Sequence, residues 1–142
     1  MTKLKTVSLK NLKVGDKLPE VPIEITSTMV IAGAIASHDF TPVHHDKSAA
    51  QAQGMQDVFM NILATNGLVG KYVTDWAGPN ATLQKVAIKL GAPNFPGDTM
   101  KMTGVVKAKE ESAGVVDLEV VGRNSWGNHV TAQVRIALPK EA

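Results

Sequence analysis

The spacing of apolar positions divides this chain into a helical first half and a strand-rich second half. After three polar residues that can each cap a helix (26–28), apolar side chains recur every three or four positions and predict a helix that ends near Ser37. Asp46 is a good N-cap for a short second helix, which should run through Ala52 and end at Gly54. Residues 1–25 contain short apolar groups between prolines and glycine, which predicts one or two strands.

The longest predicted helix begins after Asn61 and continues through Trp76. Gly67 and Gly70 weaken it, but the helical period persists across both. Its apolar positions are Ile62, Leu63, Leu68, Val69, Tyr72, Val73 and Trp76. We expect Tyr72 and Trp76 to belong to the core rather than to a ligand platform.

From Ala81 onward the apolar period becomes two, which predicts four β-strands. Turn-rich residues 111–114 and 126–128 are the expected hairpin turns, and residues 57–60 are a further candidate strand. One long helix followed by an antiparallel sheet indicates an α+β fold in which the sheet wraps the helix. Because such a sheet leaves edge strands exposed, we expect a second subunit to cover them.

Composition narrows the class of protein. The 142 residues are 44% hydrophobic, enough for one core, so residues 1–142 are predicted to form a single domain. A net charge of +2 without a basic block argues against nucleic-acid binding. No cysteine is present, no apolar run approaches the roughly 20 residues that span a bilayer, and no signal peptide is evident. We therefore expect a cytoplasmic protein without a membrane-bound segment.

The candidate chemistry lies around Asp39 and His44, five residues apart with Pro42 between them. Proline disfavours helical geometry at the residue before it, so this stretch must be a loop on which the two side chains can converge. A carboxylate and an imidazole on one water molecule are suited to acid–base catalysis near neutral pH.

Two other interpretations of this loop remain open. Aspartate before Thr-Pro is a common turn former, and the histidines could be ordinary surface residues. A metal site is a further option, although its spacing matches no standard ligand pattern. Its ligands would come from His38, Asp39, His44, His45 and Asp46.

The same loop resembles the hydratase motif Ser-Gly-Asp-x-Asn-Pro-aliphatic-His of the MaoC-like dehydratases and R-specific enoyl-CoA hydratases. Asp39 and His44 match the catalytic pair of that motif, whereas His38 replaces its glycine and Thr41 its asparagine. The chain is more closely similar to the small subunit of steroid side-chain enoyl-CoA hydratases. The similar segments are residues 43–54, 61–63, 67–69, 72–79, 121–124 and 129–132.

The resemblance implies a hot-dog fold, with an antiparallel sheet wrapped around one central helix. It also implies a hydro-lyase that hydrates an α,β-unsaturated acyl-CoA, with a cholesterol- or bile-acid-type steroid as the acyl group. Coenzyme A would be part of the substrate, and no metal or other cofactor is expected. The implied partner is a second MaoC-like subunit in an α2β2 heterotetramer, or a second copy if the chain acts alone. A downstream aldolase is a further candidate partner.

The proposed reaction also needs a group that stabilises negative charge on the thioester oxygen. Backbone amides at the helix start near Asn61 and Ile62 are the candidates, because the first turn of a helix has unpaired N–H groups. Arg123 could bind a coenzyme A phosphate or be an ordinary surface residue. A hot-dog thioesterase and a non-catalytic partner subunit are the alternative functions, and the sequence does not say whether Asp39 or His44 is the base.

Overall fold

The computed structural model describes residues 4–139, in which five strands form one antiparallel sheet against a long helix. The first three and the last three residues of the predicted domain lie outside the described range. The strands are β1 (Lys17–Glu24), β2 (Thr82–Leu90), β3 (Thr99–Glu110), β4 (Val115–Asn124) and β5 (Gly127–Ala137). The helices are α1 (Ser27–Ala36), α2 (Lys47–Ala52) and α3 (Ile62–Ala77). Short 3-10 turns cover Leu9–Asn11 and Pro42–His44.

The predicted helices are confirmed together with their caps. The Thr26 hydroxyl accepts from the amide of Met29 at the start of α1, and the Asp46 carboxylate accepts from two amides of α2. Asn61 caps α3, which ends at Gly78 with φ of 93°. That left-handed backbone, and a carbonyl oxygen of Lys5 where a Cβ would lie, both require glycine.

The strand order is β1-β3-β4-β5-β2, so β1 and β2 are the two edges of the sheet. Pro19 and Pro22 lie in β1, where an edge position tolerates a missing N–H. The nine residues of β2 contain no proline. Alternate residues of β3, β4 and β5 are buried on the side that α3 covers, and the other side carries mostly polar and charged residues.

Two predictions about the strands were wrong. Residues 57–60 form an irregular segment, in which Val58 and Met60 are buried as alternate residues of a strand would be; the backbone amide of Met60 donates to the carbonyl oxygen of Asn94. The last hairpin turn also lies earlier than predicted. Its turn residues are Ser125 and Trp126, because Gly127 and Asn128 already pair with β4.

Candidate active site

The loop after α1 brings Asp39 and His44 together. The pair lies between α1 and α2, with Oδ2 of Asp39 3.4 Å from Nε2 of His44. The side chains are 22% and 11% exposed respectively, so the pair is reachable from solvent but largely enclosed. The 3-10 turn that begins at Pro42 bends the chain between Asp39 and His44, which confirms the loop predicted from the proline.

The orientation of the His44 ring is fixed by Phe59, which lies in the irregular segment 57–60. Nδ1 of His44 lies 2.7 Å from the carbonyl oxygen of Phe59, and the Phe59 ring packs edge-on against the imidazole. A carbonyl oxygen can only accept, so Nδ1 carries a hydrogen. Nε2 then faces Asp39 with a free lone pair whenever the ring is neutral.

Both oxygens of Asp39 receive hydrogen bonds. Oδ1 accepts from the hydroxyl of Thr41 at 2.7 Å and from its backbone amide at 3.2 Å, while Oδ2 accepts from Nδ2 of Asn61 at 3.1 Å. These bonds, the Thr41 hydroxyl first, lower the pKa of Asp39 and keep it ionised at neutral pH. Thr41 thus supplies a side-chain donor at the position where the resembled motif has asparagine.

Asn61 belongs both to α3 and to the site. Its Oδ1 accepts from the amide of Ala64, which caps the helix, and its Nδ2 donates to Ser37 at 2.9 Å as well as to Asp39. Ile62 is the first helical residue, so its amide has no acceptor within α3. The structure therefore brings Asp39, His44, Asn61 and the backbone of Ile62 to one place.

His38 occupies a backbone conformation that usually requires glycine. Its φ is 56°, within the left-handed region. The imidazole lies exposed, stacked on Phe40 with ring centroids 6.0 Å apart. His38 therefore turns the chain into the Asp39 loop, and its ring contacts Phe40.

Arg123 is not brought to the pair. It lies exposed at the end of β4, on the sheet face opposite α3, and donates to the side-chain oxygen of Asn128 at 3.4 Å. Contact with a coenzyme A phosphate stays a prediction for this residue.

The residues considered as metal ligands have other places and contacts in the structure. Asp46 caps α2, His45 is exposed, and among residues 4–139 no group of three histidines, cysteines or carboxylates is placed to hold a metal ion. The same range contains no helix long and apolar enough to cross a membrane.

Exposed apolar side chains lie on the elements that carry the site, namely α1, the Asp39 loop and the start of α3. Ile35, Phe40, Ile62 and Leu63 are each at least half exposed. A separate apolar groove of about 380 Å³ lies between β1 and α3, lined in part by Tyr72 and Trp76. Tyr72 is nevertheless part of the core, as predicted, with its hydroxyl bonded to the carbonyl oxygen of Pro19.

Sequence reasoning missed several contributors to the site. The Ser37 hydroxyl and the Phe59 carbonyl act through atoms whose positions depend on tertiary packing, and no local pattern marks them. The Thr41 hydroxyl had a signal, since threonine two residues after aspartate can bond back to it.

Comparison with known proteins gives a family and a relative that each match most of this chain. Residues 11–125 match the family described as MaoC like domain. The chain is 44% identical over 125 residues to the 3-oxo-4,17-pregnadiene-20-carboxyl-CoA hydratase beta subunit of Mycobacterium tuberculosis, covering 88% of this chain and 95% of that protein.

Solved structures show the same fold. A chain of the ChsH1-ChsH2 complex from Mycobacterium tuberculosis superposes with a TM-score of 0.86 at 43% identity, covering 89% of this chain and 98% of that one. The (R)-hydratase from A. caviae involved in PHA biosynthesis superposes with a TM-score of 0.83 at 21% identity, over 92% of this chain and 99% of that one. At that identity the likeness concerns the fold alone.

Proposed function

This chain belongs to the MaoC-like domain family, and on that premise we propose that it is the catalytic subunit of an enoyl-CoA hydratase. It adds water across the α,β double bond of a steroid side-chain acyl-CoA, the substrate class for which the 44% identical relative is named. The observation that carries the proposal is the Asp39–His44 pair, 3.4 Å apart, beside the start of α3.

The pair has complementary tasks. His44 takes a proton from water through Nε2, since its Nδ1–H is committed to Phe59. The ionised Asp39 orients that water and stabilises the imidazolium that forms. The hydroxide oxygen bonds to C3 while the π electrons move toward the thioester oxygen, and the imidazolium then returns the proton to C2. One water molecule is added, and no other co-reactant is needed.

The thioester oxygen becomes negative during this addition. The amide of Ile62 and the positive end of the α3 dipole stabilise that charge in the proposed mechanism. Asn61 contributes by fixing the start of α3 relative to Asp39. Coenzyme A enters as part of the substrate, and the proposal includes no metal or other cofactor.

A second MaoC-like subunit completes the proposed enzyme. The relative is named a beta subunit, and the similar solved chain comes from a two-protein complex. Exposed apolar residues around the pair and the open edge of β2 support a covering partner. An α2β2 heterotetramer is proposed, with a homodimer as the alternative and a downstream aldolase as a further partner. Cytoplasmic location stays a prediction that fractionation of the native host would check.

The decisive experiment is co-purification from the native host, followed by hydration assays with steroidal and straight-chain enoyl-CoA. We expect Asp39→Asn and His44→Ala each to lower kcat by at least about a hundred-fold, because acid–base catalysis contributes roughly 10²- to 10⁴-fold. Matched controls are Asp46→Asn and His45→Ala, which change the same residue types outside the pair. Full activity in either variant of the pair would refute its assignment.

The same assay separates the alternative functions. A thioesterase would release free coenzyme A, which a thiol-trapping reagent detects, and would not depend on His44. A non-catalytic subunit would bind acyl-CoA without turnover even when its partner is present. In this structure the ring of His44 is held against Asp39, which favours hydration over either alternative.

A further inference from the structure

A buried polar contact joins β5 to the first turns of α3, away from the atoms that would touch substrate. His129 on β5 is 2% exposed, and Thr65 on α3 is fully buried. Nε2 of His129 lies 2.8 Å from Oγ1 of Thr65, and its Nδ1 lies 2.7 Å from the carbonyl oxygen of Ala92. The imidazole thus links the sheet to the helix.

The direction of these hydrogen bonds follows from their chemistry. The Ala92 carbonyl can only accept, so Nδ1 of His129 carries a hydrogen. Burial lowers the pKa of His129, which keeps the ring neutral and makes Nε2 an acceptor. The Thr65 hydroxyl therefore donates to His129, and its single hydrogen is not available to the Asn61 carbonyl oxygen 3.2 Å away.

The contact leads directly to the catalytic carboxylate. Thr65 lies one helical turn after Asn61, and its backbone amide donates to the Asn61 carbonyl at 3.2 Å. The side chain of Asn61 donates in turn to Asp39 at 3.1 Å. The placement of the first turn of α3 against the sheet consequently sets the position of the group that orients Asp39.

We propose that His129 is a positioning residue for hydration, which holds the first turn of α3 through Thr65 so that Asn61 orients Asp39. The inference rests on the proposed function. Without His129, the Thr65 hydroxyl would turn to the Asn61 carbonyl, and such a bond to the residue four positions back bends a helix. His129 itself contacts no reacting atom.

Two amide substitutions separate this role from simple packing. The side chain of His129→Gln reaches the place of Nε2 and retains an acceptor for Thr65, whereas that of His129→Asn reaches only the place of Nδ1 and keeps the Ala92 contact. In the full chain with its native partner, we expect His129→Gln to keep the kcat of the unmodified enzyme. His129→Asn should lower kcat by roughly ten- to a hundred-fold with KM unchanged, because a displacement of about 1 Å costs up to that much.

A second pair of variants approaches the contact from α3. Thr65→Ser retains the hydroxyl and should keep kcat, whereas Thr65→Val should lower it as much as His129→Asn does. The double variant Thr65→Val/His129→Asn should lose no more than either single variant, because both remove the same contact. These two threonine variants also decide the question if a His129 variant fails to fold.

A readout independent of turnover is the side-chain amide resonance of Asn61 in the full chain. It should move in His129→Asn and Thr65→Val and stay in place in His129→Gln and Thr65→Ser. Equal kcat in His129→Asn and His129→Gln, additive losses in the double variant, or an unmoved Asn61 resonance would each overturn the inference. Absence of hydration by the unmodified enzyme would instead refute the proposed function, and the resonance would still decide the role of His129.

Discussion

At the scale of single residues, the carboxylate of Asp39 depends on a hydroxyl two positions away. The Thr41 hydroxyl is the first cause of the lowered pKa of Asp39, ahead of Asn61. A lowered pKa means that the carboxylate form persists to more acidic pH than it would for a free aspartate. The titration of Asp39 should therefore respond to a change at Thr41.

Replacing Thr41 with valine should raise the pKa of Asp39 toward its usual value, because the hydroxyl bond is lost. We expect the carboxyl carbon resonance of Asp39 to titrate at higher pH in Thr41→Val than in the unmodified protein, as measured by NMR across the acid range. Thr41→Asn, which installs the residue of the family motif, is the control and should leave this titration close to that of the unmodified protein. An unchanged titration of Asp39 in Thr41→Val would contradict the role assigned to the hydroxyl.

His38 is predicted to be a strained residue that glycine would relieve. Glycine adopts positive φ without the penalty of about 1–2 kcal/mol that other L-residues incur. We expect His38→Gly to be more stable than His38→Ala by about 1 kcal/mol in urea denaturation. The matched control is Ala32→Gly in α1, where glycine should destabilise by about 1 kcal/mol. Equal stability of the two His38 variants would show that the strain is absent.

At the scale of elements, the start of α3 combines helix capping and a contact with Asp39 in one side chain. The side-chain oxygen of Asn61 accepts from the amide of Ala64, and its side-chain nitrogen donates to the carboxylate of Asp39. The start of the helix therefore cannot shift without disturbing that carboxylate. The start of α2 has a cap of equal quality in Asp46, but this cap has no contact with the pair. The two helices thus provide a comparison in which only one cap contacts Asp39.

Asn61→Ala and Asp46→Ala should each destabilise the protein by about 1 kcal/mol or more, as loss of an N-cap does. Only Asn61→Ala should also lower kcat, because it removes the donor to Asp39. Urea denaturation and hydration assays on both variants test this. If Asp46→Ala lowers kcat to the same extent, capping rather than contact with Asp39 explains the loss.

The capped helices and alternating strands could be predicted because their signals are local. Thr26, Asp46 and Asn61 mark helix starts by chemistry that does not depend on the rest of the fold. The strand predicted at residues 57–60 was wrong because a short apolar run marks a buried segment without showing whether a neighbouring strand is there to pair with it. Convergence of Asp39 and His44 was predicted, whereas the Phe59 carbonyl and the Thr65–His129 contact depend on segments distant in sequence.

At the scale of the whole molecule, the buried His129 couples protonation to folding. Its pKa in the folded state lies below the ordinary value of 6.5, because burial disfavours the charged ring. The unfolded chain therefore binds the proton more readily, and stability is complete above about pH 6.5 and declines as the pH falls toward the lowered pKa.

We expect the free energy of unfolding to decrease in the window that opens below about pH 6.5, by at most about 1.4 kcal/mol per pH unit for this single group. Carboxylates with lowered pKa values, such as Asp39 and Glu111, contribute at lower pH, since they start from ordinary values of 3.8 and 4.5. Urea denaturation at several pH values measures the slope. In His129→Gln the slope over this window should be shallower, and an identical slope would exclude His129 as its source.

The two edges of the sheet are unlike. In β1, Pro19 and Pro22 remove two hydrogen-bond donors from eight residues, whereas β2 presents nine residues with every donor in place. Strand addition is therefore favoured at β2 and disfavoured at β1. Once two copies of this chain have joined edge to edge through β2, both remaining edges carry prolines, which opposes further growth by strand addition.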